Sequence, residues 1–257
     1  MTIWNWSPTQ YLHFGSQRLR PAIDLLRSIP ADKPQVVYDL GCGPGSATVH
    51  LKTRWPNAKV VGIDGSPDML ERAQQEHSEI KWQAADLTTW IPSETPDVLY
   101  SNAALHWLDN HASLFPRLIN MLPQGGMLVV QMPRNFGEKT HTTIFETIRA
   151  HDWKDRLLTL LRETPTQPPS FYFDLVKPMV QNLDIWETQY YFVMEGENPI
   201  VEFTKGSFLR PILNILNAKE AEAFLREYAE RVGPHYPRRS DGTTIMPFRR
   251  LFMVATK

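Results

Sequence analysis

The apolar positions of this chain fall into two rhythms, and the change between them comes after Pro133. From residue 36 to 132, short apolar runs alternate with stretches of helical spacing in the order strand, helix, strand, helix, strand, strand, helix, strand. Residues 36–40, 60–64, 82–86, 97–102 and 127–132 read as the strands, the last one following the turn Pro123-Gln124-Gly125-Gly126. That alternation predicts an α/β fold whose parallel strands are joined by right-handed crossovers, with a ligand at their carboxyl ends.

Outside that stretch the pattern differs. Leu19, Ile23, Leu26 and Ile29 lie near helical spacing, which predicts a helix over residues 18–29 with Pro21 early in it, where proline is tolerated. Ahead of it, Trp4, Trp6, Tyr11 and Phe14 sit in an irregular aromatic segment that suits a lid over a ligand and suits packing on the core equally well. After Pro133, residues 138–182 are mostly helical with a break at the proline-rich 164–169. Residues 184–194 then read as a strand, 199–232 as helical and 250–256 as a closing strand. The two late strands would complete an antiparallel edge, and the helical stretches are too large for crossovers, so they are expected to cap the strand ends. The expected organisation is one domain over 1–257. It comprises a lid and helix (1–30), a cofactor-binding core (31–136), cap insertions (137–183 and 198–247) and closing strands (184–194 and 250–256).

The strand ends carry the chemistry. Val36-Val37-Tyr38-Asp39 runs into Leu40-Gly41-Cys42-Gly43-Pro44-Gly45, an acid followed by glycines at alternate positions. Glycines are needed where φ is positive or a ligand comes close, and the amides exposed there can hold an anion. A dinucleotide fingerprint would need glycine three positions after Gly43, where this chain has Ser46. A carboxylate at the strand end would also face a pyrophosphate, whereas it complements the ammonium group of S-adenosylmethionine. Asp64 ends the second strand about twenty residues on, where such folds place a carboxylate on ribose hydroxyls; the helix after it already has a cap in Ser66-Pro67-Asp68. Asp86 suits the adenine amino group, and Asn102 ends the fourth strand at the rim facing the methyl group. Each of these residues alone suits an ordinary turn; their order along the chain is the argument.

Composition narrows the partners. With 27 basic and 28 acidic residues and no basic block, the chain offers no field for nucleic acid. No segment approaches the roughly 18 apolar residues of a membrane span. Residues 1–6 lack the features of a signal peptide, and Cys42 is a lone cysteine that cannot form an internal disulfide, so a cytoplasmic location is expected. Beside glycines, Cys42 fits a small packing role better than a nucleophile. The eight histidines show no metal-ligand spacing, so no metal is expected. The oligomeric state stays open, with a monomer compatible.

These motifs resemble the class I S-adenosylmethionine-dependent methyltransferases. Together with Tyr11-Leu12-His13-Phe14, Arg18, Arg20, Pro21, Arg54-Trp55-Pro56, Phe115-Pro116, Gln131-Met132-Pro133, Asn135, Asp184-Ile185-Trp186, Tyr190-Tyr191, Leu209-Arg210-Pro211 and Arg250-Leu251-Phe252, the resemblance narrows to the trans-aconitate 2-methyltransferases over essentially the whole chain. It implies a Rossmann-like sheet, mostly parallel with an antiparallel edge, plus a helical cap. It also implies transfer of a methyl group to one carboxylate of trans-aconitate or a related small polycarboxylate. The cofactor set it implies is Tyr11, Arg18, Asp39, Gly41, Gly43, Asp64, Gly65, Met69, Asp86, Leu87 and Asn102. Two departures bear on the acceptor: Phe192 stands where that family has histidine, and Ser207-Phe208 where it has Thr-Gly.

Since a carboxylate is already ionised at neutral pH, no general base is expected. Alignment would carry the reaction, and arginine forks would hold the substrate's other carboxylates. The candidates for acceptor contacts are His13, Arg20, His106, Asn135, Tyr190, Tyr191, Arg210 and Arg250, with one of the adjacent tyrosines facing the core because strand residues alternate. A methyltransferase acting on malonyl groups of an acyl carrier protein shares the core motifs and would need a basic pocket mouth. A non-catalytic S-adenosylmethionine-binding protein would show a closed acceptor side.

Overall fold

The structure, a computed structural model, describes residues 15–161 and 164–257. Seven strands form one sheet in the order β3-β2-β1-β4-β5-β7-β6: β1 (Val36–Leu40), β2 (Lys59–Asp64), β3 (Lys81–Ala84), β4 (Val98–Asn102), β5 (Met127–Pro133), β6 (Asn182–Met194) and β7 (Thr244–Thr256). The first five pair in parallel, whereas β7 runs antiparallel to both β5 and β6. The chain reverses direction in the sheet between β1 and β4, which opens a crevice at the strand ends where Asp39, Asp64 and Asn102 sit.

Two apolar layers sandwich the sheet. On one face Val37, Val60, Tyr100, Val129 and Phe252 pack under α1 (Gly15–Arg27), α2 (Thr48–Arg54) and the cap helices. On the other, Tyr38, Val61, Leu99, Leu128 and Met253 cluster with residues of α4 (His111–Asn120), which follows α3 (Pro67–Glu76). Of the later helices, α5 (Lys139–Arg149), α6 (Lys154–Leu157), α7 (Pro169–Val176), α8 (Pro199–Lys205), α9 (Arg210–Leu213) and α10 (Ala218–Val232), α7 packs beside α4 on the second face through Tyr172 and Val176, and the others form the cap on the first. Asn217 opens α10 with a capping box closed by Glu220. Among the described residues, no helix is long and apolar enough to cross a membrane.

Two boundaries differ from the sequence reading. The last strand begins at Thr244 instead of 250, although Pro247 lies within it. Residues 250–256 have β5 on one side and β6 on the other, but Thr244–Phe248 pair with β6 alone. That stretch is locally an edge, so the missing N–H of Pro247 breaks no ladder. The first helix begins by Gly15, which puts Pro21 inside it and removes one helical hydrogen bond.

The Arg54-Trp55-Pro56 motif explains how α1 is fixed. The Arg54 guanidinium donates to the carbonyls of Leu26 and Ile29 (2.7 Å to Ile29), and Trp55 Nε1 donates to Ala31 O at 3.2 Å. These satisfy carbonyls at the helix end that have no partner within the helix. Arg54→Ala should lower the unfolding temperature by roughly 3–6 °C, as expected for about 1–2 kcal/mol in a chain of this size. An unchanged midpoint in a thermal melt would remove this role.

Candidate functional site

The loop after β1 is shaped by its glycines. Gly41 has φ +76°, and a Cβ added there would lie 2.1 Å from the Cβ of Ala104, so the loops after β1 and β4 touch through the missing side chain. Gly43 also has positive φ (+55°), but a Cβ there would meet no atom of the described residues within 4 Å. Its N–H donates to Asp64 Oδ2 at 2.8 Å, and the Ser66 N–H donates to Asp64 Oδ1 at 2.8 Å. Asp64 thus ties the glycine loop to the turn before α3, where Ser66 accepts from the Met69 N–H as the expected cap. Burial raises the Asp64 carboxyl, opposed by the Ser66, Gly43 and Gly65 amides.

Asp39 is the penultimate residue of β1 and is only 1% exposed. It accepts a hydrogen bond from the Thr48 hydroxyl at 2.7 Å, and burial pushes its carboxyl up to about 7, with the nearby charge of Asp64 acting in the same direction. Asn102 Oδ1 is buried with no hydrogen-bond partner among the described residues. An acid that resists ionisation and an orphaned acceptor at neighbouring strand ends both call for a positively charged donor. The ammonium of S-adenosylmethionine is one, and the open space beside Gly43 leaves room for it. The residues present therefore fit the expected cofactor.

On the adenine side, Asp86 lies just past β3 and Leu87 is buried. Asp86 Oδ1 accepts from the Thr88 amide (2.9 Å) and hydroxyl (2.7 Å), which hold its carboxyl below the usual range. Arg117 of α4 clamps this turn by donating to the carbonyls of Leu87 and Trp90. Burial raises the Cys42 thiol well above its ordinary value, which fits a packing role.

A cavity of about 490 Å³ opens between the loops after β4 and β5 and the cap. His106, Asn135, Phe136, His141, Phe208 and Phe248 are among the residues that line it, and the described lining residues include no lysine or arginine. His141 is buried, and burial pushes its imidazole down to about 3, so it is neutral at physiological pH. Its Nδ1 shares a hydrogen bond with the Thr140 hydroxyl at 2.9 Å and lies 3.5 Å from Asn135 Nδ2, while Asn135 Oδ1 is buried without a partner among the described residues. Phe208 stands edge-on to the His141 ring, 4.4 Å between centroids.

The structure brings some candidates together and separates others. Arg20, Tyr190 and Arg250 share one sheet face. The Arg20 guanidinium lies 5.5 Å from the Tyr190 ring centre, the Tyr190 hydroxyl donates to Asp24 Oδ2 at 2.8 Å, and Arg250 sits 4.4 Å over Phe248. Burial and the neighbouring Asp24 raise the Tyr190 phenol. Arg210 is half-buried at the start of α9 and precedes Pro211 on the cavity wall. Tyr191 is 64% exposed on the opposite side of β6, where its hydroxyl accepts from Gln189 Nε2, so it does not reach the cavity. Tyr11 and His13 lie outside the described residues, as does the side chain of Arg18. Of the two departures, Phe208 lines the cavity and Phe192 stacks behind it on Phe248. The sequence reading passed over His141, since a lone histidine in a helix carries no spacing signal. Among the described residues no cluster could hold a metal ion.

Comparisons with known proteins bear on both halves of the site. Residues 37–126 match a family described as a methyltransferase domain. The trans-aconitate 2-methyltransferase of Azoarcus sp. (strain BH72) is 42% identical over 252 residues, which covers 98% of this chain and 99% of that protein. The enzyme of the same name from Agrobacterium fabrum (strain C58) is 41% identical over 253 residues, with the same coverage of each. Among solved structures, the YcgJ protein of Bacillus subtilis aligns with a TM-score of 0.59 at 13% identity, covering 93% of this chain and 98% of that one. Phosphoethanolamine N-methyltransferase 2 of Haemonchus contortus, solved with S-adenosyl-L-methionine, aligns at 0.55 and 16% identity over 93% of this chain and 52% of that one. At such identities the likeness is one of fold.

Proposed function

We propose that this chain, which belongs to the trans-aconitate 2-methyltransferase family of class I methyltransferases, moves a methyl group from S-adenosylmethionine to one carboxylate of trans-aconitate or a closely related small polycarboxylate. The products are the monomethyl ester and S-adenosylhomocysteine. The observation that carries the reading is the shared wall between the two halves of the site. The segment after β4 touches the glycine loop at Ala104, and two residues later His106 lines the cavity.

When bound, S-adenosylmethionine supplies a methyl carbon made electrophilic by its sulfonium sulfur. The transfer would join the acceptor's carboxylate oxygen to that carbon and leave the electron pair of the carbon–sulfur bond on sulfur. Both opposite charges vanish along this path, so the transition state is less charged than the bound reactants. A strong cation on the attacking oxygen would therefore hold the reactants more tightly than the transition state. Neutral side chains suit that oxygen, and the cavity wall offers them in Asn135, neutral His141 and the surrounding aromatic rings. The carboxylates that do not react keep their charge, and the arginines next to the cavity, Arg210 and Arg250, are matched to them. Asp39 and Asn102 face the ammonium end, and Asp64 holds the loop that bounds it. No group here needs to take a proton.

The reading is tested by methyl transfer from labelled S-adenosylmethionine to trans-aconitate, cis-aconitate, citrate, isocitrate and malonyl carrier protein side by side. Turnover of trans-aconitate is expected, and turnover of the carrier protein alone would replace this reading. In the same assay Arg210→Ala should raise KM for the acid about thirtyfold or more. The Kd for S-adenosylhomocysteine should change less than twofold, and equal effects on both would take Arg210 off the acceptor side.

A further inference from the structure

Gln131 lies on β5 at 0% exposure, opposite Asn102 of β4 and Phe252 of β7. Its Oε1 accepts from Arg250 Nη1 at 3.3 Å. Arg250 is itself only 4% exposed, and its guanidinium lies over the ring of Phe248, which lines the cavity. Two of its contacts bear on its orientation: the ring favours one plane for the guanidinium, and the carbonyl draws one nitrogen in a set direction within that plane. The other end of the Gln131 amide fares worse, for Nε2 is buried with no hydrogen-bond partner among the described residues. A buried donor without an acceptor is costly, and a methionine of similar length would avoid that cost. Packing alone therefore does not account for glutamine here. Glutamate would pair with Arg250 more strongly, but it would place a negative charge where an anionic acceptor needs the arginine.

We propose that Gln131 is a positioning residue for the acceptor acid: its uncharged carbonyl aims the Arg250 fork toward the cavity without opposing its charge. This rests on the reading of the site as one that binds a polycarboxylate.

The test compares Gln131→Glu and Gln131→Met by KM for trans-aconitate, Kd for S-adenosylhomocysteine and unfolding temperature. Gln131→Met should raise KM about tenfold and leave cofactor affinity within twofold, with no loss of thermal stability. Gln131→Glu should raise KM at least a hundredfold, again with unchanged cofactor affinity and with an unfolding temperature equal to or above that of the wild type. A purely structural role predicts the opposite for Gln131→Glu, since a better partner for Arg250 would preserve activity. Wild-type KM in Gln131→Glu, or parallel loss of acid turnover and cofactor binding in both variants, overturns the inference. Should Gln131→Glu fail to fold, the cycle of Gln131→Met with Arg250→Ala decides it. The double variant should have the KM of Arg250→Ala alone, and additive effects would overturn the proposal. If the wild type methylates none of the acids, the functional reading falls, and acid binding is read from the rise in unfolding temperature with trans-aconitate. Gln131→Glu must then abolish that rise and Gln131→Met only reduce it; if the wild type shows no rise, the inference falls as well.

Discussion

Gly43→Ala should fold and lose most of its affinity for the cofactor, whereas Gly41→Ala should lose a large part of its stability. Both glycines have positive φ, so an alanine at either position carries a backbone cost of about 1–2 kcal/mol. At Gly43 that is the whole structural cost, because the added methyl meets no atom of the described residues within 4 Å. The expected fall in unfolding temperature is about 3–6 °C. The space the methyl enters is the space the cofactor needs, beside the amide that Asp64 holds, so S-adenosylhomocysteine binding should weaken on the order of a hundredfold or more. At Gly41 the methyl would stand 2.1 Å from the Cβ of Ala104. That atom is fixed to the backbone of a residue whose neighbour, Ala103, already has φ +53°, so no side-chain rotation relieves the clash. The loops after β1 and β4 must part, and the loss should exceed the Gly43 penalty by several kcal/mol. Calorimetric titration and thermal melts of the two variants decide this. Normal cofactor binding by Gly43→Ala, or equal midpoints for the two proteins, would contradict the assignment of the loop.

The contrast between these glycines also marks how far the sequence was legible. The pattern of an apolar run, an acid and alternating glycines located the loop, but not which glycine faces a neighbouring loop and which faces open space. The parallel strands were legible because each is a short, mostly apolar run with an acid or amide at or near its end. The start of β7 was not, since Pro247 reads as a break until β5 is known to end short of it. Alternation along β6 predicted that Tyr190 and Tyr191 face opposite ways without fixing which one is buried. That is set by Asp24 on α1, a partner 166 residues away. His141 and Gln131 gave no local signal either. Their surroundings come from elements that meet only in the folded chain: the cap helices for one, the β5–β7 pairing for the other. The cofactor corner is built from residues local to strand ends, whereas the acceptor cavity is assembled from distant segments, and legibility follows that difference.

Asp39→Asn should gain thermal stability at pH 8 and lose most of its affinity for S-adenosylmethionine. The buried Asp39 carboxyl is raised to about 7 from an ordinary value near 3.8, so the folded protein holds this proton more tightly than the unfolded chain does. Its contribution to stability is complete below about pH 4, declines as the pH rises, and is gone above about pH 7. Asparagine keeps an acceptor for the Thr48 hydroxyl and has no charge to bury. The stability advantage of the variant should therefore grow from about pH 4 and level off above about pH 7. Binding runs the other way. An ammonium group favours the ionised carboxylate, so wild-type affinity should tighten as the pH rises toward 7, by up to about tenfold per unit. In Asp39→Asn that pH dependence should flatten, and affinity at pH 7 should fall on the order of a hundredfold. Titrations between pH 5 and 7 keep most of the cofactor's own amine protonated, so the profile reports the protein. A wild-type affinity flat across that range, or a variant that is less stable than wild type at pH 8, would show that Asp39 is not the acid that meets the ammonium. The opposed signs are what separate a functional carboxylate from a structural one. A residue kept for stability would weaken the fold when neutralised, whereas on the proposed function Asp39 should cost the empty protein stability and repay it when a cation is bound.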